Sequence, residues 1–438
     1  MSWRIYGAVY ALTLLAYVPV RAETATLTIA TVNNDDMLRM QAMVPEFTKL
    51  HPDISLRWVT LEENVLRQRL TTDIATHGGQ FDIMTIGNYE VPIWAKQKWL
   101  VPLDALGPEY DVDDLLPKIR ASLTYQNRLY AAPFYGESAM TYYRTDLFQQ
   151  AKLSMPAQPT WAFIEHAADV LTQRKAGSYG ICLRGQAGWG ENINIITAMA
   201  NSYGARWFDE KWRPQFDQPE WKRTITAYVH LLRDDSPSGA SSNGATQALT
   251  LFAGGHCAMF IDSTVFASAL GDPKQSAVVG KVGYAAAPNN GLGKNAVTLW
   301  AWSLAIPVSS NHRAAAETFV TWATSKQYSA LVASRYGIAN SPPGTRSSLY
   351  NNPDYLAAAP FAKPTLDAME SADPDHPTVK PVPYVGVQFV AIPEFQAIGT
   401  TVGQGFSAAV AGQTTVGQAL SNAQAVTLRS MIHSGYLK

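Results

Sequence analysis

Several short segments of this chain set carboxylates and amides beside aromatic rings, a combination suited to holding a neutral molecule rich in hydroxyl groups. Hydroxyls need acceptors and donors fixed in direction, and aromatic walls exclude water from the C–H faces between them. A hydroxyl donating to a carboxylate is among the stronger contacts open to an uncharged ligand. Trp189-Gly190-Glu191-Asn192 joins an indole, a flexible backbone and two polar groups within four residues; a surface turn is the plainer reading. Asn34 with Asp35, and Asn88 with Tyr89 and Glu90, form two further polar segments. Asp35 equally suits a helix N-cap, and the second segment suits ordinary turn chemistry. Asp262 closes the apolar run Ala258 to Ile261, so it projects where a strand meets a loop. Trp300 and Trp302 share one side of a strand by the period of two and face either a cleft or the core. Arg335 and Tyr384 are additional candidates, against surface or packing roles.

Other chemistries lack their residues. The chain has no G-x-S-x-G elbow, no G-x-x-x-x-G-K-[ST] phosphate loop, no G-x-G-x-x-G after a strand and no H-E-x-x-H. Its 8 His are scattered. Two cysteines without a nearby His pair do not make a zinc site. No catalytic residue, metal or cofactor is therefore expected. Two rivals stay open: Glu137 and Glu191 as the acid pair of a secreted carbohydrate-active enzyme, and the adjacent Tyr142-Tyr143 as tyrosinate ligands to ferric iron. Against the second, Tyr142 to Phe148 reads as a strand running into a capped helix.

These residues need a scaffold, and the N-terminal third supplies a regular one. Thr26 to Val32 alternates polar and apolar residues, then meets Asn33, Asn34, Asp35 and Asp36, a strand ending in a turn that caps a helix. Met37, Met40, Val44 and Phe47 recur at helical spacing, with Pro45 expected to kink or divide the helix. Ile54, Leu56 and Trp58 alternate as a second strand. Leu66, Leu70 and Ile74 mark a second helix stopped at Gly78-Gly79, and Phe81 to Gly87 is a buried strand. Strand, helix, strand, helix, strand implies a parallel α/β lobe, whose ligands sit beyond the carboxyl ends of the strands. Asn33-Asn34-Asp35 and Asn88-Tyr89-Glu90 both fall there.

The remaining bounds come from bulk properties. Arg4, an apolar run from Ile5 to Val18, Pro19 and the ending Val20-Arg21-Ala22 have the layout of a cleaved secretory signal over residues 1–22, with an uncleaved anchor as the alternative. No Cys stands directly after the cleavage point, which favours a freely diffusing periplasmic protein over a lipid-attached one. A chain of 438 residues with 47% apolar residues exceeds one core and suggests two lobes. With 34 basic and 35 acidic residues, net charge −1 and no dense Lys/Arg block, nothing steers it to nucleic acid or an anionic membrane surface. Cys182 and Cys257 either pair or stand as two buried thiols, since sequence does not fix their Cα separation.

Taken in order, nine stretches resemble one family: TVNNDDM (31–37), TIGNYEVPIW (85–94), WLVPLD (99–104), PFYGESAMTYYRTDLF (133–148), GWGENIN (188–194), MFIDSTV (259–265), LWAWSLAIP (299–307), YGIANSPPGTR (336–346) and QFVAIPEFQAIGT (388–400). The chain is similar to the extracellular solute-binding proteins of ABC importers, in the maltose-binding class, and within it to the sorbitol/mannitol (polyol) branch. The resemblance implies a bilobal α/β periplasmic-binding-protein fold with the ligand in a cleft between lobes. Mapped here, crossovers near Gly136, Trp300 and Ser325 give an N-lobe of 23–136 plus 300–324 and a C-lobe of 137–299 plus 325–438. It also implies that Glu137, at the first crossover, contacts the ligand; the alternative is an acid facing a helix start. The implied role is a monomer that carries a small polyol or sugar to a permease in the inner membrane.

Overall fold

A computed structural model describes residues 25–438, and the segment assigned above to a secretory signal lies outside them. Alternation of apolar residues builds β1 (Ala25–Val32), whose last six residues are all buried. Asn34 caps α1 (Asp35–Leu50), its side-chain oxygen accepting the Met37 N–H at 2.9 Å. Met37, Met40, Met43 and Phe47 form the buried face of that helix. Pro45 sits inside α1 without dividing it; it falls in the third turn, where flanking turns already hold the helix. β2 (Ile54–Leu61) and α2 (Glu63–Ala75) follow, and α2 stops at Thr76, with His77 rather than a glycine first taking a positive φ, of 51°. β3 (Ile83–Ile86) is wholly buried.

The chain then moves between two sheets. β4 (Ala132–Glu137) belongs to the first, and β5 (Ala139–Arg144), one residue later, to the second. β6 (Tyr179–Cys182), β7 (Cys257–Ser263) and β8 (Val282–Ala286) complete the second sheet, and β9 (Trp300–Ala305) returns to the first. The first sheet has the order β2-β1-β3-β9-β4 and the second β8-β5-β7-β6. In the first, β1 runs parallel to β2 and β3 while β9 is antiparallel to β3 and β4. Each sheet is packed by helices, giving a bilobal α/β protein. In the second lobe, α3 (Trp161–Leu171), α4 (Asn192–Ser202) and α5 (Pro219–Asp234) do this. Trp221, Thr224, Ile225, Tyr228, Leu231 and Leu232 make the buried stripe of α5.

The segments that cross between lobes touch one another. Gly136 donates its N–H to the Pro343 carbonyl at 2.9 Å. A Cβ on Gly136 would stand 2.3 Å from the Gly344 carbonyl oxygen, so only glycine lets the backbones pass. The Ser138 carbonyl accepts the Thr264 N–H, the Ser138 N–H donates to the Thr264 hydroxyl, and the Ser138 hydroxyl donates to the Thr298 carbonyl at 2.6 Å. Gln388 grips the Leu299 peptide with both ends of its amide, each at 3.0 Å. α6 (Lys326–Tyr336), which the sequence reading gave to the second lobe, packs on the first: Tyr328 lies against Phe134 and Trp322, and the Arg335 guanidinium reaches Met43 Sδ at 3.7 Å. α7 (Ala362–Ser371) packs on β5 and β8 of the second lobe. Cys182 and Cys257 are joined as a disulfide, with Cα atoms 5.8 Å apart.

Candidate functional site

The site begins where β1 and β4 end and β9 starts. Asn34 is held twice, by the Met37 N–H and by donating to the Tyr135 hydroxyl at 2.7 Å. Because Asn34 takes the cap, Asp35 is released from that role and turns to the space between the lobes. Trp300 and Trp302, two residues apart on β9, present their rings on one face at 5.4 Å and 79° to each other. Glu137 closes the floor, and the Ser263 hydroxyl donates to it. Together with Glu62 and Glu63 at the start of α2, these residues line the first-lobe side of a cavity of about 400 Å³.

The facing wall comes from the second lobe. Arg184, two residues past β6, forms a fork with Asp262 through Nε at 2.8 and 3.1 Å and donates Nη1 to the Gly190 carbonyl at 3.0 Å. Its Nη1 lies 3.8 Å from Glu191 Oε2. Glu191 in turn accepts the Ala245 N–H at 3.0 Å, at the start of the helix Ala245–Ala253, where a carboxylate is favoured by the helix dipole. Gln186, Gln247 and Phe266 complete this side. Arg184 is the cation among the lining residues, against the carboxylates of Asp35, Asp36, Glu62, Glu63, Glu137 and Glu191. That excess of negative charge disfavours an anionic guest.

Burial sets the protonation of these acids. It pushes the Glu137 carboxyl up to about 7, although the Ser263 hydrogen bond and Arg184 pull it down. It likewise pushes Glu191 up to about 7 against the pull of Arg184, and Asp36 to about 6 against Arg39. Near neutral pH, Glu137 and Glu191 can therefore each either accept a hydroxyl proton in a hydrogen bond or donate one. Burial also works against the Arg184 charge, but Asp262 and Glu191 outweigh it and its pKa is raised.

Behind the indole wall, Arg67 acts as a bolt. Its guanidinium lies over the rings of Trp189, Trp300 and Trp302 at 4.1, 4.7 and 4.7 Å, an arrangement stabilised by attraction to the ring faces. Its nitrogens are bonded to Glu63 at 2.8 and 3.0 Å and to Glu90 at 2.9 Å. Trp300 further rests on Gly87, where a Cβ would come within 1.9 Å of the ring.

The cavity gathers Asn34, Asp35, Glu137, Glu191, Trp300 and Trp302 from the sequence candidates. The other candidates stand elsewhere. Asn88 is consumed by backbone: it donates to the Leu299 carbonyl at 3.0 Å and accepts from Ala301 N–H at 3.4 Å. Tyr89 and Trp189 pack against each other across the lobes, ring centres 4.7 Å apart and tilted at 48°, and the Tyr89 hydroxyl donates to the Ile392 carbonyl; they fill the seam and not the cavity. Asp262 lies inside β7 and not at its end, fully buried, and spends its oxygens on Arg184. Arg335 is exposed on α6 and lines an adjoining surface cavity, not the ligand cavity itself. Tyr384 is buried under Phe208, its hydroxyl accepting the Trp207 N–H at 3.2 Å. Tyr142 and Tyr143 alternate along β5 and so point to opposite faces; Tyr142 donates to the Ser263 carbonyl at 2.6 Å, which does not make a paired iron ligand.

Sequence reasoning missed Arg184, Glu63, Tyr135 and Arg67. Arg184 had a signal, since it follows the β6 run Tyr179–Cys182 at a strand's carboxyl end. Glu63 and Arg67 had one too, being an i, i+4 pair of opposite charge on one helix face.

Residues 31–330 match the family model described as bacterial extracellular solute-binding protein. The chain is 55% identical over 421 residues to the mannitol-binding protein of Pseudomonas aeruginosa, covering 96% of each. It superposes on an ABC transporter solute-binding protein from Agrobacterium vitis S4, crystallised with bound D-mannitol, with a TM-score of 0.94 and 62% identity over 94% of this chain and 100% of that one. It also superposes on an ABC transporter solute-binding protein from Agrobacterium radiobacter K84 in complex with ribitol, with a TM-score of 0.82 and 25% identity over 93% and 99% of the two chains.

Proposed function

The chain belongs to the bacterial extracellular solute-binding proteins, and from that premise we propose that it captures a linear polyol of the mannitol type and hands it to the permease of an ABC importer. The observation that carries the reading is the make-up of the cavity: carboxylates, amides and one arginine drawn from both lobes, facing two indoles. A polyol presents hydroxyls on all sides and no charge. Asp35, Glu63, Glu137 and Glu191 accept from such hydroxyls, Arg184 and Asn34 donate, and Trp300 and Trp302 cover the carbon chain. A volume of about 400 Å³ is near the small end of ligand sites and suits one six-carbon molecule. The mannitol and ribitol carried by the two similar crystal structures are of this class.

Capture works by closure. The lobes exchange chain near Gly136–Ala139, near Thr298–Trp300 and, in this reading, near Ser341–Arg346 in place of Ser325. A ligand bridging both walls has higher affinity for the closed arrangement and shifts the population toward it. The permease then reads the closed surface. The protein acts as a monomer in the periplasm, exported through the segment 1–22.

Isothermal titration of the mature chain with D-mannitol tests this, with D-sorbitol, ribitol, maltose and putrescine alongside. Saturable heat with a hexitol or pentitol, and none with putrescine, is the expected result. A folded protein that gives no heat with any polyol, or gives it only with the diamine, overturns the reading.

A further inference from the structure

On the second lobe, outside the cavity lining, α3 and α5 bring three ligating side chains together. Asp169 comes from α3, His230 from α5, and Asp235 is the residue that caps α5. One ligating atom from each lies within 4.8 Å of the others. His230 Nε2 is 3.3 Å from Asp169 Oδ1 and 3.6 Å from Asp235 Oδ2. Its other nitrogen, Nδ1, is 3.1 Å from Asp234 Oδ2. With Nδ1 donating its hydrogen to the Asp234 carboxylate, Nε2 faces two more carboxylate oxygens. A positive charge belongs between Nε2 and those two oxygens, supplied either by the proton of an imidazolium or by a metal cation held by all three groups.

Asp235 supplies an independent pointer. It is 2% exposed, and its Oδ1 accepts from the Thr172 hydroxyl at 2.8 Å. Its Oδ2, directed at His230, has no hydrogen-bond partner among the described residues. An ionisable oxygen that is buried and unpaired is costly, and coordination is one way to satisfy it.

We propose that Asp169, His230 and Asp235 form a binding site for one divalent transition cation of the zinc type. The two spacings from His230, 3.3 and 3.6 Å, fit: four ligands about 2.0–2.1 Å from zinc sit roughly 3.3 Å from one another in a tetrahedron. Asp234 orients the imidazole from behind, as second partners of metal-bound histidines commonly do. Asp169 is exposed and His230 half-buried, which leaves an approach from solvent and room for a water as fourth ligand. One nitrogen and two carboxylate oxygens favour zinc over calcium or magnesium, which prefer all-oxygen shells of six or more. The site ties α3 to α5 behind β6, since the Asp235 carbonyl accepts the Ile181 N–H at 3.1 Å. It would brace the strand that leads to Arg184.

The test uses the tag-free chain stripped with a chelator and titrated with Zn²⁺ against a chromophoric competitor, with Ca²⁺ and Mg²⁺ as controls. One equivalent of Zn²⁺ is expected, unaffected by Ca²⁺ or Mg²⁺, and weakened at least about tenfold by both His230→Gln and Asp169→Asn. Both side chains are at the surface edge of their helices, and circular dichroism with D-mannitol titration shows whether each variant is folded. No Zn²⁺ uptake by the wild-type chain overturns the proposal, as does uptake undiminished in both folded variants.

Discussion

Replacing Gly87 by alanine should damage the cavity from behind without touching it. Gly87 follows β3 and donates its N–H to Glu90 Oε2 at 2.9 Å. An added Cβ would stand 1.9, 2.1 and 2.6 Å from Cζ2, Cη2 and Cε2 of Trp300. Carbon atoms pack at about 3.5 Å or more, so the indole must retreat by roughly 1.5 Å or β3 must yield. The ring has little space: Arg67 lies 4.7 Å from its centroid, and the Trp189 ring is 5.9 Å away. Overpacking of this kind costs about 1–3 kcal/mol of stability. The same shift moves one wall of the cavity, and an affinity loss of about 10- to 100-fold corresponds to roughly 1.4–2.8 kcal/mol. Trp300→Phe provides the control, because its single ring stops short of the clashing carbons. In that background Gly87→Ala should cost much less, giving a coupling of at least about 1 kcal/mol in a double-mutant cycle. Urea unfolding and D-mannitol calorimetry on the four proteins measure both quantities. Additivity within about 0.5 kcal/mol, with mannitol affinity unchanged in Gly87→Ala, would refute the idea that Trp300 is propped on Gly87 to shape the cavity.

Raised carboxyl pKa values make stability fall as pH rises: the contribution of Glu137 is full below 4.5 and is lost as pH climbs through about 7. The shift corresponds to roughly 3 kcal/mol, so Glu137→Gln should flatten the melting-temperature profile of the ligand-free protein between pH 4.5 and 8, and an unchanged slope would contradict the assignment. Asp262→Asn strips the charge partner from buried Arg184 and should cost about 3 kcal/mol of stability together with most of the mannitol affinity. Arg335→Ala, outside the lining of the ligand cavity, should leave calorimetric affinity as it was. Under denaturing, non-reducing conditions the protein should take up no thiol reagent, because Cys182 and Cys257 are bonded; two reactive thiols by mass spectrometry would count against the pairing.

What the sequence made legible was what repeats locally. The strand–helix alternation from β1 to β3 follows from periods of two and 3.6 that one segment carries by itself, and the same period of two put Trp300 and Trp302 on one face. The cavity positions Asn34 and Asp35 followed from where α/β folds leave their loops, whereas Glu137 came from the family resemblance. The rest depended on partners distant in the chain. Asp262 looked like a ligand group because a carboxylate at the end of an apolar run has no local partner; 78 residues away, Arg184 takes both its oxygens. Tyr89 and Trp189 looked like cleft walls, and each is an aromatic at a lobe edge. Whether such a ring faces a ligand or the opposite lobe is decided by how the lobes meet, and here each ring finds the other. Those same displaced candidates still bear on recognition: Asp262 fixes the arginine, and Tyr89 with Trp189 sets the seam against which Arg67 holds the two indoles. A residue can therefore govern affinity in this protein while contributing no surface to the cavity, which is the expectation that Gly87→Ala and Asp262→Asn put to measurement.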